Sequence, residues 1–239
     1  MKHIIQFSGG CASTYTAYLV SKEQKKEDII LLFHDTKVEC KDSYRFRRQV
    51  SEYLDIPITE VSDGRDLWEV IKDNNCLPSD RFPFCTRILK LEPAEKYLKT
   101  IQEPYILYNG FGKEEWRRIQ KSLARAEGLN RVVKSPLYDL GISNDEVKRI
   151  IRDEWKICLP SAYKYLSHSN CIPCFKAGKG HFKAIAKYYP EEFEKACKAE
   201  EEIGYTVFED ITLRQLREQV LSQLDLFSIE ESIPCMCSV

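Results

Sequence analysis

The residues that decide the fold are HIIQF at positions 3–7, followed by SGGCAS at positions 8–13. The first five are an apolar run of strand length, and apolar residues at helical spacing predict a helix over 12–22. This order brings unpaired backbone N–H groups and the positive end of the helix dipole to one point. It predicts a phosphate site at Ser8, Gly9, Gly10, Cys11, Ala12 and Ser13. The alternative is an ordinary tight turn at a helix N-terminus.

Strand and helix signals alternate as far as residue 140. The continuous apolar run at 28–34 is typical of a strand buried on both faces of a parallel sheet. Further strands are predicted at 58–61 and 104–108, and helices at 42–54, 67–72 and 93–100. The alternation predicts an α/β fold, with a mostly parallel sheet and flanking helices over residues 1–140.

Helical signals dominate from residue 141 to residue 239. The predicted helices lie near 145–155, 179–188, 190–203 and 212–225. We therefore expect this second, cysteine-containing part to be a helical cap. Since it follows no Gly/Ser-rich linker, we expect it to pack on the sheet.

The net charge and the length of the apolar runs argue against several classes of protein. The chain has 36 Lys and Arg against 37 Asp and Glu, a net charge of -1. This argues against coating nucleic acid through a global basic field, although it leaves room for a local patch. No apolar run approaches the roughly 20 residues of a membrane-spanning helix, so we expect a cytoplasmic protein without membrane association.

Several motifs occur in the order found in one known family. FSGG with Ser13 resembles its PP-loop. HDT at 34–36 with SYRF at 43–46 resembles its Asp-Thr-Gly and Thr-Tyr-x-Phe segment, with Lys37 in place of the glycine. CTRILKLEP at 85–93 is similar to its Cys-Cys-x-x-x-Lys-Val-Glu-Pro segment, and GFGKEEWRR at 110–118 to its Gly-x-Arg-x-Glu segment. The chain thus resembles the phosphoadenylyl-sulfate (PAPS) reductase-like family of the PP-loop, adenine nucleotide alpha-hydrolase-like superfamily.

This resemblance implies a Rossmann-like enzyme that binds an adenine nucleotide, namely ATP, APS or PAPS, with Mg²⁺ as a further candidate ion. The PP-loop would hold phosphate or sulfate together with Asp35, Thr36 and Gly110. Lys90 and Arg118 would neutralise developing charge as catalytic residues.

Two departures leave the chemistry open. Many ATP pyrophosphatases of the superfamily carry Asp at the position of Ala12, and Thr86 replaces the second cysteine of the reductase pair. The candidates are sulfonucleotide reduction, ATP pyrophosphatase or sulfur-transfer chemistry, and a non-catalytic nucleotide-binding or assembly subunit. Partner-dependent sulfur modification of nucleic acid is a further alternative.

Ten cysteines are many for a cytosolic chain, where they more often indicate metal binding or sulfur chemistry than disulfides. Cys171 and Cys174 have the Cys-x-x-Cys spacing that lets two thiolates bind one metal, the alternative being free thiols. The family resemblance adds Cys85 and implies a [4Fe–4S] cluster, with Zn²⁺ as the alternative. Cys158 or a C-terminal cysteine would supply the fourth ligand. Four others are interpreted as small buried hydrophobes: Cys11, Cys40, Cys76 and Cys197.

Cys235 and Cys237 at the C-terminus resemble, in position only, the nucleophilic cysteine of PAPS and APS reductases. The Glu-Cys-Gly-x-His sequence of those enzymes is absent. A nucleophile here would need a thioredoxin-like reductant or a sulfur donor as partner, whereas the alternative is a frayed terminus with inert thiols. Arg45, Arg47 and Arg48, close together on one predicted helix, are interpreted as surface charges.

Overall fold

A computed structural model describes residues 1–169 and 171–222. Its centre is one five-stranded parallel sheet with the strand order β3-β2-β1-β4-β5. The strands are β1 (Lys2–Gln6), β2 (Ile29–His34), β3 (Ile58–Val61), β4 (Tyr105–Tyr108) and β5 (Val132–Lys134). The chain builds one side of the sheet from β1 to β3, then crosses to the other side of β1. The carboxyl ends of β1 and β4 therefore lie at a switch point, where α/β proteins bind ligands.

Alternating side chains along the strands cover both faces of the sheet, as the sequence predicts for buried parallel strands. Ile4 and Leu32 pack with Leu98 on one face. Ile5 and Phe33 join a second buried cluster on the other face. The predicted α/β fold is confirmed.

The helices of the sheet-containing part are α1 (Cys11–Glu23), α2 (Lys41–Leu54), α3 (Leu67–Asn74), α4 (Phe84–Thr86), α5 (Glu92–Leu98), α6 (Trp116–Gly128) and α7 (Pro136–Asp139). The sequence prediction missed α6 and β5. The buried residues of α6 are Ile119, Ser122 and Ala126, so only one of them is large and apolar. Strand β5 has only three residues at the sheet edge, too few for a period-2 pattern.

A π-helical segment, Arg87–Leu91, joins α4 to α5. Pro93 has no N–H to donate to the carbonyl of Leu89, and a proline ring crowds the preceding helical turn. A locally widened helix is a common response to such a residue. The widened turn contains Lys90, which is buried.

The C-terminal part contains α8 (Asn144–Arg149), a π-helical segment (Ile150–Glu154), a 3-10 turn (Ser161–Lys164), α9 (Lys179–Tyr188), α10 (Pro190–Ile203) and α11 (Leu213–Ser222). Phe182 and Phe193 of these helices share a buried cluster with Phe84 and Ile88. The cap thus packs on the sheet-containing part. The boundary at residue 140 stays a prediction, and the end of the predicted helix 212–225 lies outside the described residues. Within the described ranges, no helix is both long and apolar enough to span a membrane.

Candidate functional site

The conformation of the loop between β1 and α1 is fixed by a glycine backbone and by serine hydrogen bonds. Gly9 has a φ of 74°, a conformation that favours glycine. The Ser8 Oγ accepts from the Gly10 N–H at 3.4 Å and lies 3.2 Å from the Ser13 Oγ. The first intrahelical bond runs from the Thr14 N–H to the Gly10 carbonyl. The N–H groups of Cys11, Ala12 and Ser13 consequently have no acceptor within helix α1, which is the arrangement that binds anions.

Gly110, after β4, closes the loop from the other side of the switch point. A Cβ at Gly110 would lie 2.5 Å from the Ser13 N and 2.6 Å from the Ser13 Cα. Both contacts are to backbone and are too short for any side chain. Gly110 therefore allows the end of β4 to approach the first turn of α1, while its predicted binding role stays a prediction.

The loop forms the floor of a cleft of about 530 Å³, which we call the phosphate cleft. This volume falls in the range of small-molecule sites. The guanidinium of Arg118 lies over the Phe111 ring at 4.4 Å and forms an ion pair with Glu115. The carboxylate of Glu115 also accepts from the Gly112 N–H at 3.0 Å and from the Asn144 side chain at 2.9 Å. The cleft thus brings together Ser8, Gly10, Cys11, Ala12, Ser13, Lys90, Gly110 and Arg118.

Lys90 also lines a second, smaller cavity of about 30 Å³, which we call the thiol cavity. Three cysteines from two distant segments line it: Cys85, Cys171 and Cys174. Thr36 joins them, and its Oγ1 lies 3.4 Å from the Cys171 Sγ. Backbone bonds hold the loop, since the Ile172 N–H donates to Val38 and the Cys174 N–H donates to the His181 Nε2 at 3.2 Å.

The residues that the structure describes do not form a metal site at the thiol cavity. Over residues 1–169 and 171–222, no group of three His, Cys, Asp or Glu side chains is arranged to hold a metal ion. Cys158, a predicted fourth ligand, is exposed and does not line the thiol cavity, and its carbonyl accepts from Arg45 at 3.0 Å. Cys235 and Cys237 lie outside the described residues. The structure thus brings together the three cysteines that the family resemblance indicated, without closing a coordination shell.

The family model of the phosphoadenosine phosphosulfate reductase domain matches residues 2–142. The chain belongs to this family. The crystal structure of the PAPS reductase from Candida auris, a phosphate complex, superposes with a TM-score of 0.50 over 71% of this chain and 82% of that one. At 17% identity this similarity shows the PAPS reductase fold.

Relatives of this PAPS reductase-family chain occur in an archaeon and a phage. The uncharacterized proteins MJ0973 and MJ0066 of Methanocaldococcus jannaschii are 26% and 29% identical, over 87% and 80% of this chain. The chain spans about half the length of these relatives, 49% and 40%. The uncharacterized nin region protein ORF290 of Escherichia phage lambda is 25% identical over 91% of this chain and 77% of its own length.

The family's Asp-Thr-Gly segment follows β2, and here its glycine is Lys37. Lys37 adopts a φ of 59°, so it keeps a left-handed conformation that glycine would adopt with less strain. Asp35 accepts from the Tyr44 hydroxyl at 2.6 Å and from the Lys37 N–H at 3.0 Å. Two residues of this segment were predicted to bind the nucleotide. Thr36 lines the thiol cavity, and Asp35 stabilises the turn through the two hydrogen bonds just described.

The interpretation of Arg47 as a surface charge was wrong. Arg47 is 3% exposed, and its guanidinium lies between the rings of Phe33, at 3.7 Å, and Tyr44, at 4.0 Å. It packs beneath the phosphate loop, because a Cβ at Gly9 would lie 2.6 Å from the Arg47 Cδ. One feature of the sequence indicated that Arg47 is buried, namely its position on the inward face of α2, one residue after the buried Phe46.

Glu39 is the carboxylate partner of Arg47, at 3.9 Å, and its side chain is 2% exposed. Burial raises the pKa of the Glu39 carboxyl, while the charges of Lys90 and Arg47 oppose that shift. The Thr36 hydroxyl donates to Glu39 at 3.3 Å. A buried charged layer therefore lies between the phosphate loop and the thiol cavity, and sequence reasoning missed it.

Burial also sets the ionisation of two groups beside the loop. It lowers the pKa of His34 to about 3, with Lys90 adding to the shift, so His34 is neutral at pH 7. It raises the pKa of the Cys11 thiol to about 11. Cys11 is therefore protonated at pH 7 and suits the space-filling role predicted for it. Cys40 and Cys197 are also buried, while Cys76 is half-buried and contacts the Tyr205 hydroxyl at 3.0 Å.

Proposed function

We propose that the chain binds an adenine nucleotide in the phosphate cleft and carries out sulfonucleotide reduction, with ATP pyrophosphatase or sulfur-transfer chemistry as the alternative within the same family. One observation carries the proposal: Lys90 lines both the phosphate cleft and the thiol cavity. An anion held by the loop and by Lys90 would lie next to the thiol cavity. That placement suits a sulfur-containing nucleotide bound next to the cysteines that we propose as metal ligands.

The loop supplies most of the proposed binding. Backbone donors at the start of α1 would bind phosphate or sulfate oxygens, and Lys90 and Arg118 would neutralise the charge that develops as a bond breaks. Because the donors are fixed by the fold, they need little reorganisation on binding. ATP, APS and PAPS all present such an anion, and Mg²⁺ would accompany ATP.

In the reductase reaction, a cysteine thiolate attacks the sulfur atom of APS or PAPS. A sulfur–sulfur bond forms, the bond from sulfur to the bridging phosphate oxygen breaks, and the nucleotide leaves with that electron pair. A thiol of a thioredoxin-like reductant then attacks the cysteine sulfur, releases sulfite and forms a mixed disulfide. The second thiol of the reductant resolves that disulfide and frees the cysteine, so the reductant supplies the two electrons. Cys235 and Cys237 are the proposed nucleophiles.

We further propose that Cys85, Cys171 and Cys174 bind a [4Fe–4S] cluster or Zn²⁺, with a fourth thiolate from Cys158 or the C-terminus. Thiolates are suitable donors for either group. The described side chains do not fit the group as they are arranged, so we assign it no step of the reaction. Anaerobic absorbance with iron and zinc analysis tests this, and a colourless chain without either metal would contradict it.

Product analysis tests the reaction. After incubation with PAPS or APS, mass spectrometry should show an added SO₃ group on the peptide containing Cys235 and Cys237. With ATP instead, release of AMP and pyrophosphate would identify a pyrophosphatase. An unmodified peptide would contradict the reductase proposal. Tight ATP binding without any product would indicate a non-catalytic nucleotide-binding or assembly subunit.

Lys90→Met should lower the rate of either reaction about 100-fold, the usual effect of removing one stabilising cation. Lys99→Met, on an exposed lysine in the same region of the chain, is the matched control. Equal rates for the two variants would remove Lys90 from the proposed mechanism.

A further inference from the structure

One contact at the phosphate loop comes from the cap. Tyr163 lies on the 3-10 turn, outside the residues matched by the family model. Its hydroxyl accepts from the Cys11 N–H at 3.3 Å. Among the described residues, this is the side chain that contacts the first N–H of α1, a position where an anion would bind.

The turn that carries Tyr163 is anchored on α2. The Ser161 N–H donates to the Asp42 carboxylate at 2.7 Å, and Arg45 donates to the carbonyl of Cys158. Farther along the same segment, the Ser43 hydroxyl donates to the Ser169 carbonyl at 3.1 Å. These bonds place the phenol over the loop independently of any ligand.

The fit between Tyr163 and the loop is close. A Cβ at Gly10 would lie 3.2 Å from the Tyr163 hydroxyl. Burial raises the pKa of Tyr163, so the phenol keeps its proton and can act as a donor.

We propose that Tyr163 is a phosphate-binding residue supplied by the cap. A phosphate oxygen is a stronger acceptor than a neutral hydroxyl, so it would replace the phenol at the Cys11 N–H. The bond being replaced is long at 3.3 Å, against about 2.9 Å for a typical N–H···O bond. The phenol O–H would then donate a hydrogen bond to the same phosphate. Tyr163 thus selects anionic ligands without any change in its protonation.

This inference rests on the proposed nucleotide site and is tested by calorimetric titration at pH 7. Tyr163→Phe should weaken the binding of ATP and of inorganic pyrophosphate about tenfold, the effect of one hydrogen bond to a charged group. Adenosine should bind equally to both proteins. Tyr165→Phe is the matched control, because Tyr165 is exposed and its ring stacks on Tyr188 at 3.7 Å.

A second variant makes the test independent of a single substitution. Gly10→Ala adds a Cβ that presses on the Tyr163 hydroxyl, so it should weaken pyrophosphate binding more in the wild-type background than in Tyr163→Phe. Unaltered ATP and pyrophosphate binding by Tyr163→Phe would overturn the inference alone. Equal weakening of ATP and adenosine would also overturn it, since that indicates a structural role. If the wild-type chain binds neither ATP nor pyrophosphate, the proposed function fails as well.

Discussion

The phosphate cleft and the thiol cavity share Lys90 but are built in different ways. The floor of the cleft is backbone, made from one glycine loop, one helix N-terminus and the close approach of Gly110. The thiol cavity is lined by side chains from four segments far apart in sequence. The first depends on local conformation, which a short motif encodes, whereas the second depends on how the cap packs. Between them lies the buried pair of Arg47 and Glu39.

The largest expected effect comes from that pair. Arg47→Met removes one of the two cations that act on the buried Glu39 carboxylate, the other being Lys90. We expect the free energy of unfolding to fall by about 3 kcal/mol. Urea denaturation measures this loss. Arg48→Met, on an exposed neighbour in the same helix, should change it by less than about 0.5 kcal/mol. Similar losses in both variants would show that the Arg47 charge has no special role.

Gly110→Ala tests the backbone construction of the cleft. The new Cβ meets the Ser13 backbone, so the end of β4 must move away from α1. We expect a loss of about 1 to 3 kcal/mol in unfolding free energy and no detectable ATP binding by calorimetry. In the described residues, a Cβ at Gly128 has no heavy atom within 4 Å, which makes Gly128→Ala the control. Normal ATP binding by Gly110→Ala would refute the assigned loop geometry.

The neutral, buried His34 predicts a pH dependence. Its folded pKa of about 3 lies below the unfolded value of 6.5, so the unfolded chain binds more protons between these pH values. Stability is therefore present above pH 6.5 and is lost as the pH falls. Between pH 6.5 and pH 5, His34 should account for about 1.5 kcal/mol of lost unfolding free energy. Urea denaturation of His34→Asn should lack this contribution, and identical pH profiles would show that His34 does not cause it.

The smallest effect concerns Lys37. Lys37→Gly should relieve the left-handed backbone and gain about 0.5 kcal/mol, while losing the bond from the Lys37 side chain to the Gly64 carbonyl. Lys37→Ala loses the same bond but keeps the strain. Thermal unfolding should therefore rank Lys37→Gly above Lys37→Ala. The reverse order would show that this backbone is not strained.

The contrast between the phosphate cleft and the thiol cavity explains which features could be predicted from the sequence. The motif at 8–13 and the apolar strands predicted the fold class and the loop, because local propensity and tertiary structure agree there. The prediction that Cys85 lies near Cys171 and Cys174 came from the family resemblance and not from the spacing of the cysteines. Arg47 and Tyr163 were missed because their places depend on packing between α2, the loop and the cap. A buried arginine and a surface arginine look alike in one sequence.

The central claim is that the loop at Ser8 to Ser13 and Lys90 hold the charged group of an adenine nucleotide beside the thiols. A crystal structure with bound PAPS or ATP tests it most directly. We expect phosphate or sulfate oxygens within hydrogen-bond distance of the backbone N–H groups of α1 and of the Lys90 Nζ. A nucleotide bound outside the phosphate cleft, or an empty cleft at saturating nucleotide, would contradict the claim.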